Sequence, residues 1–247
     1  MIRLSVIIFK FPYWVQKLLR FLPLRKNWTI YNLWLKPNWG DRTFRYYLKG
    51  AYGFEYSNHL KQINYPFVYL DIGANQGLYS LLAIKNKSCI KAYAFEPVSS
   101  IYSIIEKNIL LNNGEGKIKG VNLCISDGAG IAEISFDPAH SGKSSLSFSG
   151  EGVVEEIQTV NYDSLNSFIK VPNKLCVICK IDVEGFEEVV ITQLLATKFS
   201  ANIKEIMFEV HEGWIALDKV KDQLVRNGFI TFERIGKGTH YDLLAKK

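Results

Sequence analysis

Short apolar runs alternate with segments of helical spacing along most of this 247-residue chain. Apolar runs bounded by turn residues are typical of buried strands, and apolar residues three and four positions apart are typical of a helix face. The pattern predicts strands at 67–70, 91–95, 117–125, 132–136, 157–160, 175–183, 204–210, 229–235 and 240–245. It predicts helices at 77–84, 99–111, 185–195 and 212–226, and a short helix from residue 162. Strands that alternate with helices indicate an α/β fold, with a mostly parallel sheet and helices on both of its faces.

Two features interrupt this alternation. The last two predicted strands flank a G-K-G turn at 236–238, which is the pattern of a hairpin, so one strand of the sheet is expected to be antiparallel. Residues 137–156 are rich in Gly, Ser and Glu and form one long irregular segment. Long loops in compact domains tend to be functional lids or disordered. His140 and Lys143 in this segment are therefore candidates for substrate contacts, with ordinary exposed loop residues as the alternative.

The composition fits a single cytosolic domain. With 48% hydrophobic residues, the chain can bury one sizeable core. Its four cysteines lie in apolar surroundings, which indicates a reduced chain rather than a disulfide framework. Cys176 and Cys179 form a nominal C-x-x-C, but positions three apart in a strand point to opposite faces, and no second pair or nearby histidine completes a zinc site. They are expected to be core thiols.

The net charge of +6 is concentrated at the start of the chain. Residues 1–50 carry ten Lys or Arg against a single acid, Asp41, and also hold four of the five tryptophans. A basic, aromatic-rich arm beside a near-neutral domain indicates contact with something anionic or interfacial. This contrast divides the chain into an N-terminal arm, residues 1–50, and a domain, residues 51–247.

Two interpretations of the arm stay open. Residues 1–24 could form an amphipathic helix on a membrane surface, with basic residues near lipid headgroups, or a helical arm that packs on the domain or on a second subunit. Lys10 and Pro12 interrupt the apolar run, so a signal peptide is not expected. No segment reaches about 18 uninterrupted apolar residues, so no spanning helix is expected either. The predicted location is the cytoplasm, with peripheral contact to the inner membrane face through residues 1–40, and no nucleic-acid partner is expected.

The segment with the most chemical information is 70–78, which reads L-D-I-G-A-N-Q-G-L and joins a predicted strand to a predicted helix. Gly73 and Gly77 have no Cβ, so a ligand can lie against bare backbone there. The first N–H groups of the helix are expected to point toward the same place. A carboxylate at Asp71 would meet a hydroxyl or a cation, which suits a nucleoside with a positive centre.

Acids also follow the next two predicted strands, at the edge where open α/β sheets bind ligands. Glu96 lies 25 residues after Asp71, a spacing that fits an acid accepting hydrogen bonds from both ribose hydroxyls. Asp127, after Ser126, is placed to read an adenine amine, or it is a plain turn aspartate before Gly128.

A nicotinamide dinucleotide is disfavoured at this loop. Its usual fingerprint is G-x-G-x-x-G, whereas this chain has D-x-G-x-N-x-G. Asn75 and Gln76 stand where a dinucleotide site wants small residues against the pyrophosphate. An acid at the loop fits a ligand with a positive amino-acid end and no phosphate, which is S-adenosylmethionine.

Four motifs resemble the FkbM-type family of S-adenosylmethionine-dependent methyltransferases. They are D-I-G-A-N-Q-G at 71–77, F-E-P at 95–97, S-D at 126–127 and K-I-D-V-E-G-F-E at 180–187. The first marks the wider class and the last is the more specific signal, while T-V-N-Y-D-S-L at 159–165 also matches the family. The resemblance covers roughly residues 50–235 and leaves the arm out. It implies a Rossmann-like seven-stranded sheet with an antiparallel last strand, and methyl transfer, usually to an oxygen on a sugar or natural product.

The resemblance also implies which residues bind the cofactor. Those expected at its methionine part, ribose and adenine are Asp71, Gly73, Ala74, Asn75, Gly77, Glu96, Pro97, Ser126 and Asp127. Asp182 and Glu184 are expected to be catalytic, since they fall at the end of the strand that faces the transferable methyl. Two positions apart in extended backbone, they share a face. Glu184 could instead cap the following helix, because acids favour N-terminal turns.

A third expected catalytic residue is His211, at the end of the next predicted strand. Histidine side chains titrate near neutral pH, so one at this place could take the proton of an attacking hydroxyl, with a structural role as the alternative. Asp182 and Glu184 could hold Mg²⁺ through oxygen ligands. The sequence shows no convincing third ligand, so no metal is predicted.

The predicted function is that of an O-methyltransferase acting on a hydroxyl of a sugar or glycan, either a cell-surface polysaccharide or a lipid-linked glycan. An O-methyltransferase of a small natural product is one alternative. A non-catalytic, membrane-associated protein that keeps the fold is another, although the intact 71–77 loop and Glu96 argue against it. Protein methylation is disfavoured because no N-P-P-Y-like tetrapeptide follows the fourth main strand.

Overall fold

A computed structural model describes residues 26–51, 53–144, 152–172 and 174–247, so the predictions for residues 1–24 lie outside the described residues. Within these ranges the α-helices are α1 (Arg42–Lys49), α2 (Phe54–Gln62), α3 (Leu78–Lys85), α4 (Ser99–Leu111), α5 (Tyr162–Phe168), α6 (Glu187–Leu195) and α7 (Leu217–Arg226). The β-strands are β1 (Asn27–Trp28), β2 (Trp34–Leu35), β3 (Phe67–Ile72), β4 (Cys89–Phe95), β5 (Ile118–Val121), β6 (Cys124–Ile125), β7 (Gly130–Phe136), β8 (Val153–Val160), β9 (Cys176–Ile181), β10 (Ile203–His211), β11 (Thr231–Ile235) and β12 (His240–Lys246).

Seven of the described strands form the central sheet, in the order β11-β12-β10-β9-β3-β4-β5. The run from β10 to β5 is parallel throughout. The last strand, β12, is antiparallel to both of its neighbours, β10 and β11. The predicted Rossmann-like fold with an antiparallel last strand is therefore confirmed.

Apolar side chains of the central strands build a core on each face of the sheet. Every residue of β3 is buried, as expected for a parallel strand that is covered on both sides. Because side chains alternate along a strand, Leu70 and Ile72 join one core cluster while Phe67 and Tyr69 join the other. This packing fixes the ends of β3, β4, β9 and β10 relative to one another.

The prediction of one strand over 117–125 is wrong. The chain leaves the central sheet after β5 and enters a three-stranded sheet, of order β6-β8-β7, at β6. Between these strands the Asn122 side chain donates hydrogen bonds to the backbone oxygens of Glu96 and Pro97, at 2.9 and 2.7 Å. These bonds hold the bend against the end of β4. Ser126 and Asp127 consequently follow a strand of the small sheet instead of the central one.

The predicted helix over 212–226 is wrong at its start, since α7 begins at Leu217. The backbone N–H groups of Trp214 and Ile215 both donate to the oxygen of His211, so the chain turns directly after β10. The N–H of Glu212 donates to Thr239 at 3.0 Å, which keeps this turn beside β12. The result is that Trp214 lies next to His211.

The described part of the arm packs on the domain. It consists of the two-stranded ribbon β1–β2 followed by α1. Asn112 bonds to both backbone groups of Trp34, and Asn108 accepts the N–H of Lys36 at 2.7 Å. Phe44 of α1 is fully buried in one of the two sheet cores. Among the described residues, none of the helices combines the length and the apolar character needed to span a membrane.

Candidate functional site

A cavity of about 940 Å³ opens at the edge of the central sheet where β3, β4, β9 and β10 end. Ligand pockets usually measure about 300–1,000 Å³, so this one has room for a large ligand or for two ligands side by side. Its walls also include α1, the start of β12 and the segment after β7, which we call the 137–144 loop. Nine of the predicted site residues line it: Gly73, Asn75, Glu96, Pro97, His140, Lys143, Asp182, Glu184 and His211.

The glycine loop, residues 73–77, passes so close to the end of β9 that position 73 has no room for a side chain. A Cβ on Gly73 would lie 1.8 Å from the backbone oxygen of Asp182. The φ of Gly73 is +74°, in the left-handed region that favours glycine. The N–H of Asp182 donates to the oxygen of Ile72 at 3.0 Å, which holds the two strand ends together. Bare backbone therefore faces the cavity at this point.

The backbone N–H groups of the glycine loop are engaged within the protein. Those of Gly73 and Ala74 donate to the oxygen of Phe95. That of Asn75 donates to the Glu96 carboxylate at 2.9 Å. The loop therefore offers a ligand its shape and the side chain of Asn75.

Five predicted cofactor residues do not line the cavity in the described part of the chain. They are Asp71, Ala74, Gly77, Ser126 and Asp127. Asp71 is completely buried, and its Oδ2 accepts hydrogen bonds from the N–H and the hydroxyl of Ser80 at 2.8 and 2.7 Å. The Ser126 hydroxyl donates to Asp127 at 3.1 Å, beyond β6. The contacts of these five residues with a cofactor stay predictions.

Glu96 is a buried acid at the end of β4. Its two carboxylate oxygens accept the N–H groups of Asn75 and Val98, at 2.9 and 3.0 Å. Burial raises the pKa of Glu96 to about 8, although these two hydrogen bonds oppose the shift. Each oxygen has further lone pairs, so Glu96 is able to accept hydrogen bonds from hydroxyl groups in the cavity.

A buried lysine holds Asp182 in place. The Nζ atom of Lys180, which is 2% exposed, lies 2.8 Å from Oδ2 of Asp182 and 4.8 Å from the ring centroid of Tyr79. Burial alone would lower the pKa of Lys180, but the charges of Asp182 and Asp71 outweigh it, and the pKa lies above its usual value. The lysine therefore stays charged and orients Asp182 at the cavity wall.

Glu184 and Glu209 join Asp182 in a carboxylate trio. One carboxylate oxygen from each residue lies within 4.8 Å of the others. The sequence pattern did not single out Glu209, although it lies two positions before His211 on β10 and so shares its face. Oxygen ligands suit Mg²⁺, so Glu209 adds the third ligand that the metal-assisted alternative lacked.

Burial and mutual repulsion favour the protonated forms of the two glutamates. Burial, Asp182 and Glu187 raise the pKa of Glu184 to about 8, against the partial opposition of Lys143 and Lys180. Burial and the neighbouring acids raise the pKa of Glu209 well above its usual range. The trio is therefore a place where a proton can be taken up near neutral pH.

Replacing Glu184 by Gln is expected to stabilise the ligand-free protein at alkaline pH. The pKa of Glu184 is about 8 in the folded protein, against 4.5 for an unperturbed Glu. The contribution of Glu184 to stability is therefore fully present below pH 4.5 and is lost as the pH rises through 8. We expect E184Q to exceed the wild type by about 1 kcal/mol at pH 9, a gain of about 2–4 °C in Tm, with no gain at pH 4.5. Scanning calorimetry at the two pH values measures this. Glu188→Gln, an exposed acid of α6, is the control, and an equal gain in both variants would contradict the prediction.

Two histidines and a tryptophan stand beside the trio. The ring of His211 stacks on Trp214, with centroids 4.2 Å apart and an interplanar angle of 18°, and Trp214 is 56% exposed. Nδ1 of His211 is buried and has no hydrogen-bond partner among the described residues. His240, at the start of β12, lies 2.7 Å from Glu209. Strands β10 and β12 thus bring both imidazoles to the same wall of the cavity.

The 137–144 loop brings His140 and Lys143 to the cavity wall. It is tied to the start of α1, where the N–H of Arg42 donates to the oxygen of Ala139 at 2.8 Å. Burial and the charges of Arg42 and Lys143 lower the pKa of His140. The positive charge of Lys143 lowers the pKa of Glu184, so the loop and the trio interact electrostatically.

A cavity at the carboxyl edge of a Rossmann-like sheet, with a glycine loop after one strand and a buried acid after the next, is the arrangement of a nucleoside-binding α/β fold. The family model described as "Methyltransferase FkbM domain" matches residues 71–231. The chain therefore belongs to the FkbM methyltransferase family. The matched residues are those of a methyltransferase domain, for which the sequence predicts S-adenosylmethionine as the methyl donor. This assignment favours the enzyme over the non-catalytic alternative.

Two relatives show how far the likeness reaches. Methyltransferase sdnD of Sordaria araneosa is 33% identical over 81 residues, which are 33% of this chain and 31% of that protein. The crystal structure of methyltransferase FkbM from Methylobacillus flagellatus aligns with a TM-score of 0.55 and 12% identity, over 82% of this chain and 52% of that one. The aligned part thus spans about a third of the first relative and about half of the second. The structural likeness shows the shared fold.

Proposed function

We propose that the protein transfers a methyl group to a hydroxyl of a sugar or glycan. The observation that supports this acceptor is the carboxylate trio beside the exposed ring of Trp214 on one wall of the cavity. Carboxylate oxygens accept hydrogen bonds from hydroxyl groups. An aromatic face offers flat apolar surface to the C–H groups of a sugar ring. A small natural product that carries a hydroxyl is the alternative for the same wall.

The other wall fits the cofactor. Gly73 contributes bare backbone to this wall, and Asn75 and Glu96 add an amide and a buried acid to it. These are the residues that would hold S-adenosylmethionine. When bound, it supplies a methyl group on a positively charged sulfur. Because these residues occupy one wall of the cavity, we place the acceptor at the wall that holds the trio.

We assign the removal of the hydroxyl proton to Glu184. Its pKa of about 8 lies near the pH at which a general base is most effective. Asp182, fixed by Lys180, would hold the hydroxyl in place by accepting its hydrogen bond. His211 is the second candidate base, since its buried Nδ1 has no partner among the described residues. The remaining contribution of the protein is alignment and the exclusion of water.

Glu184→Gln is expected to lower turnover by about 10²- to 10⁴-fold, the usual contribution of a general base. Cofactor affinity should stay close to that of the wild type, because Glu184 lies on the acceptor side of the cavity. Turnover is measured as formation of S-adenosylhomocysteine with the cell's own glycan fraction. Cofactor affinity is measured by titration calorimetry. Glu188→Gln again serves as the control. Loss of turnover in His211→Gln but not in E184Q would move the base to His211.

The acceptor class is tested in cells. The experiment uses mass spectrometry to compare glycans of cells that lack the protein with glycans of the same cells supplied with wild type or E184Q. The expected result is that one glycan loses the mass of a CH₂ group without the protein and with E184Q, and regains it with the wild type. Unchanged glycans together with an undermethylated small metabolite would overturn the sugar acceptor in favour of a natural product.

A further inference from the structure

Asp41, the single acid of residues 1–50, is completely buried between three segments of the protein. Its Oδ1 accepts hydrogen bonds from the backbone N–H groups of Thr43 and Ser141, both at 3.0 Å. Its Oδ2 accepts hydrogen bonds from the Ser141 hydroxyl at 2.6 Å, from the Asn38 amide at 3.4 Å and from the Gln76 amide. The start of α1, the glycine loop and the 137–144 loop therefore meet at one carboxylate.

Only one of these bonds serves the helix. The bond from Thr43 caps α1, and Asn or Ser could provide that cap as well. The bonds from Ser141 and Gln76 come from residues that are 100 and 35 positions away in sequence. A buried carboxylate is costly unless donors surround it, and here most of the donors come from outside α1. An acid at position 41 is therefore explained by the two loops and not by the cap.

Close polar contacts continue from Asp41 into the cavity wall. The Ser141 hydroxyl also lies 3.1 Å from Oδ1 of Asn75. The N–H of Asn75 in turn donates to Glu96, and both residues line the cavity on the side of the glycine loop. A short buried path thus joins the cofactor wall to the 137–144 loop.

We propose that Asp41 is a positioning residue that links the glycine loop to the 137–144 loop, so that cofactor binding orders the acceptor wall. The proposal rests on the proposed function only in treating that wall as the acceptor side. The family match begins at residue 71 and does not include Asp41. Thr43, Tyr46 and Tyr47 of α1 line the same cavity, so the segment before the matched domain is part of the site.

Hydrogen exchange of the 137–144 loop, with and without S-adenosylmethionine, tests this link. In the wild type the cofactor should slow exchange at Ser141 and Gly142, whose N–H groups bond to Asp41 and Thr43. Asp41→Ala should remove the slowing. It should also weaken cofactor binding about tenfold, the loss expected for a hydrogen bond to a charged group, as measured by titration calorimetry.

Further variants separate the link from folding. Ser141→Ala weakens the link by removing the hydroxyl bond while the backbone bond of Ser141 remains, and Gln76→Met removes the bond from the glycine loop. Both variants keep the cap of α1, so they decide the question even if D41A does not fold. D41A/S141A should bind the cofactor like D41A alone, because D41A already removes the carboxylate that accepts the bond from the Ser141 hydroxyl. Asn161→Ala removes a cap of the same kind from α5, outside the cavity, and should leave both readouts at the wild-type level.

Two results would overturn the proposal. One is a cofactor that leaves exchange of the 137–144 loop unchanged in the wild type. The other is a cofactor that still slows this exchange in both S141A and Q76M. None of these measurements uses an acceptor, so an error in the acceptor class would leave them unaffected and the two proposals fail independently.

Discussion

Gly73→Ala is expected to destabilise the protein by about 3 kcal/mol or more and to abolish cofactor binding. A Cβ at this position would lie 1.8 Å from the backbone oxygen of Asp182, and no rotamer change can move a backbone atom away. The left-handed φ of +74° adds strain of about 1–2 kcal/mol for any residue with a side chain. The ends of β3 and β9 must separate to relieve the contact, which breaks the bond from Asp182 to Ile72.

Gly77→Ala is the matched control, because Gly77 has a similar φ of +80° but more space. The nearest atom to a Cβ there is a methyl of Ile105 at 3.4 Å, an ordinary contact distance. In this variant we expect only the loss of stability caused by the left-handed φ, about 1–2 kcal/mol. Denaturant unfolding measures both variants. Equal losses for G73A and G77A would show that the close approach of β9 does not matter.

Lys180→Met is expected to cost about 3–5 kcal/mol, the usual loss when one partner of a buried ion pair is removed. Lys180 is the cation that faces Asp182, and it also lowers the pKa of the fully buried Asp71. Without it the pKa of Asp71 rises further above that of an unfolded Asp. An acid whose pKa is higher in the folded than in the unfolded protein stabilises the fold at low pH, and this contribution is lost as the pH rises.

The stability deficit of K180M should therefore be smallest near pH 4 and largest at neutral pH. Denaturant unfolding across this range gives the profile. Lys180→Arg keeps the charge in a larger side chain and should lose about 1–3 kcal/mol from overpacking, with little dependence on pH. A deficit of K180M that is constant with pH would mean that packing, and not charge, makes Lys180 important.

Regular apolar patterns made most of the fold predictable from the sequence. The strands around the glycine loop are short, almost wholly apolar and followed by turn residues, so local pattern and final structure agree there. The break between β5 and β6 was missed because its cause is not local. Asn122 bonds to Glu96 and Pro97, which are about 25 positions earlier in the chain, and no periodicity reports such a contact.

The site was predictable where a residue ends or directly follows a strand of the central sheet. Asp182, Glu96 and His211 reached the cavity for that reason, because the carboxyl ends of parallel strands meet at one edge. Positions two apart on a strand share a face, and this rule, applied to His211, would have identified Glu209. Asp41 was beyond reach, since its partners come from distant loops and its own segment suggested only a basic surface.

The position of β12 in the sheet has a consequence for the order of assembly. β11 precedes β12 in sequence but touches the rest of the sheet through it, and seven residue pairs join β12 to β10. A nascent or shortened chain that ends before His240 therefore leaves the flank of β10 without its partner. An open strand edge of this kind is a template for pairing with another chain. The pairing of β12 with β10 therefore covers an edge that would otherwise be open to another chain.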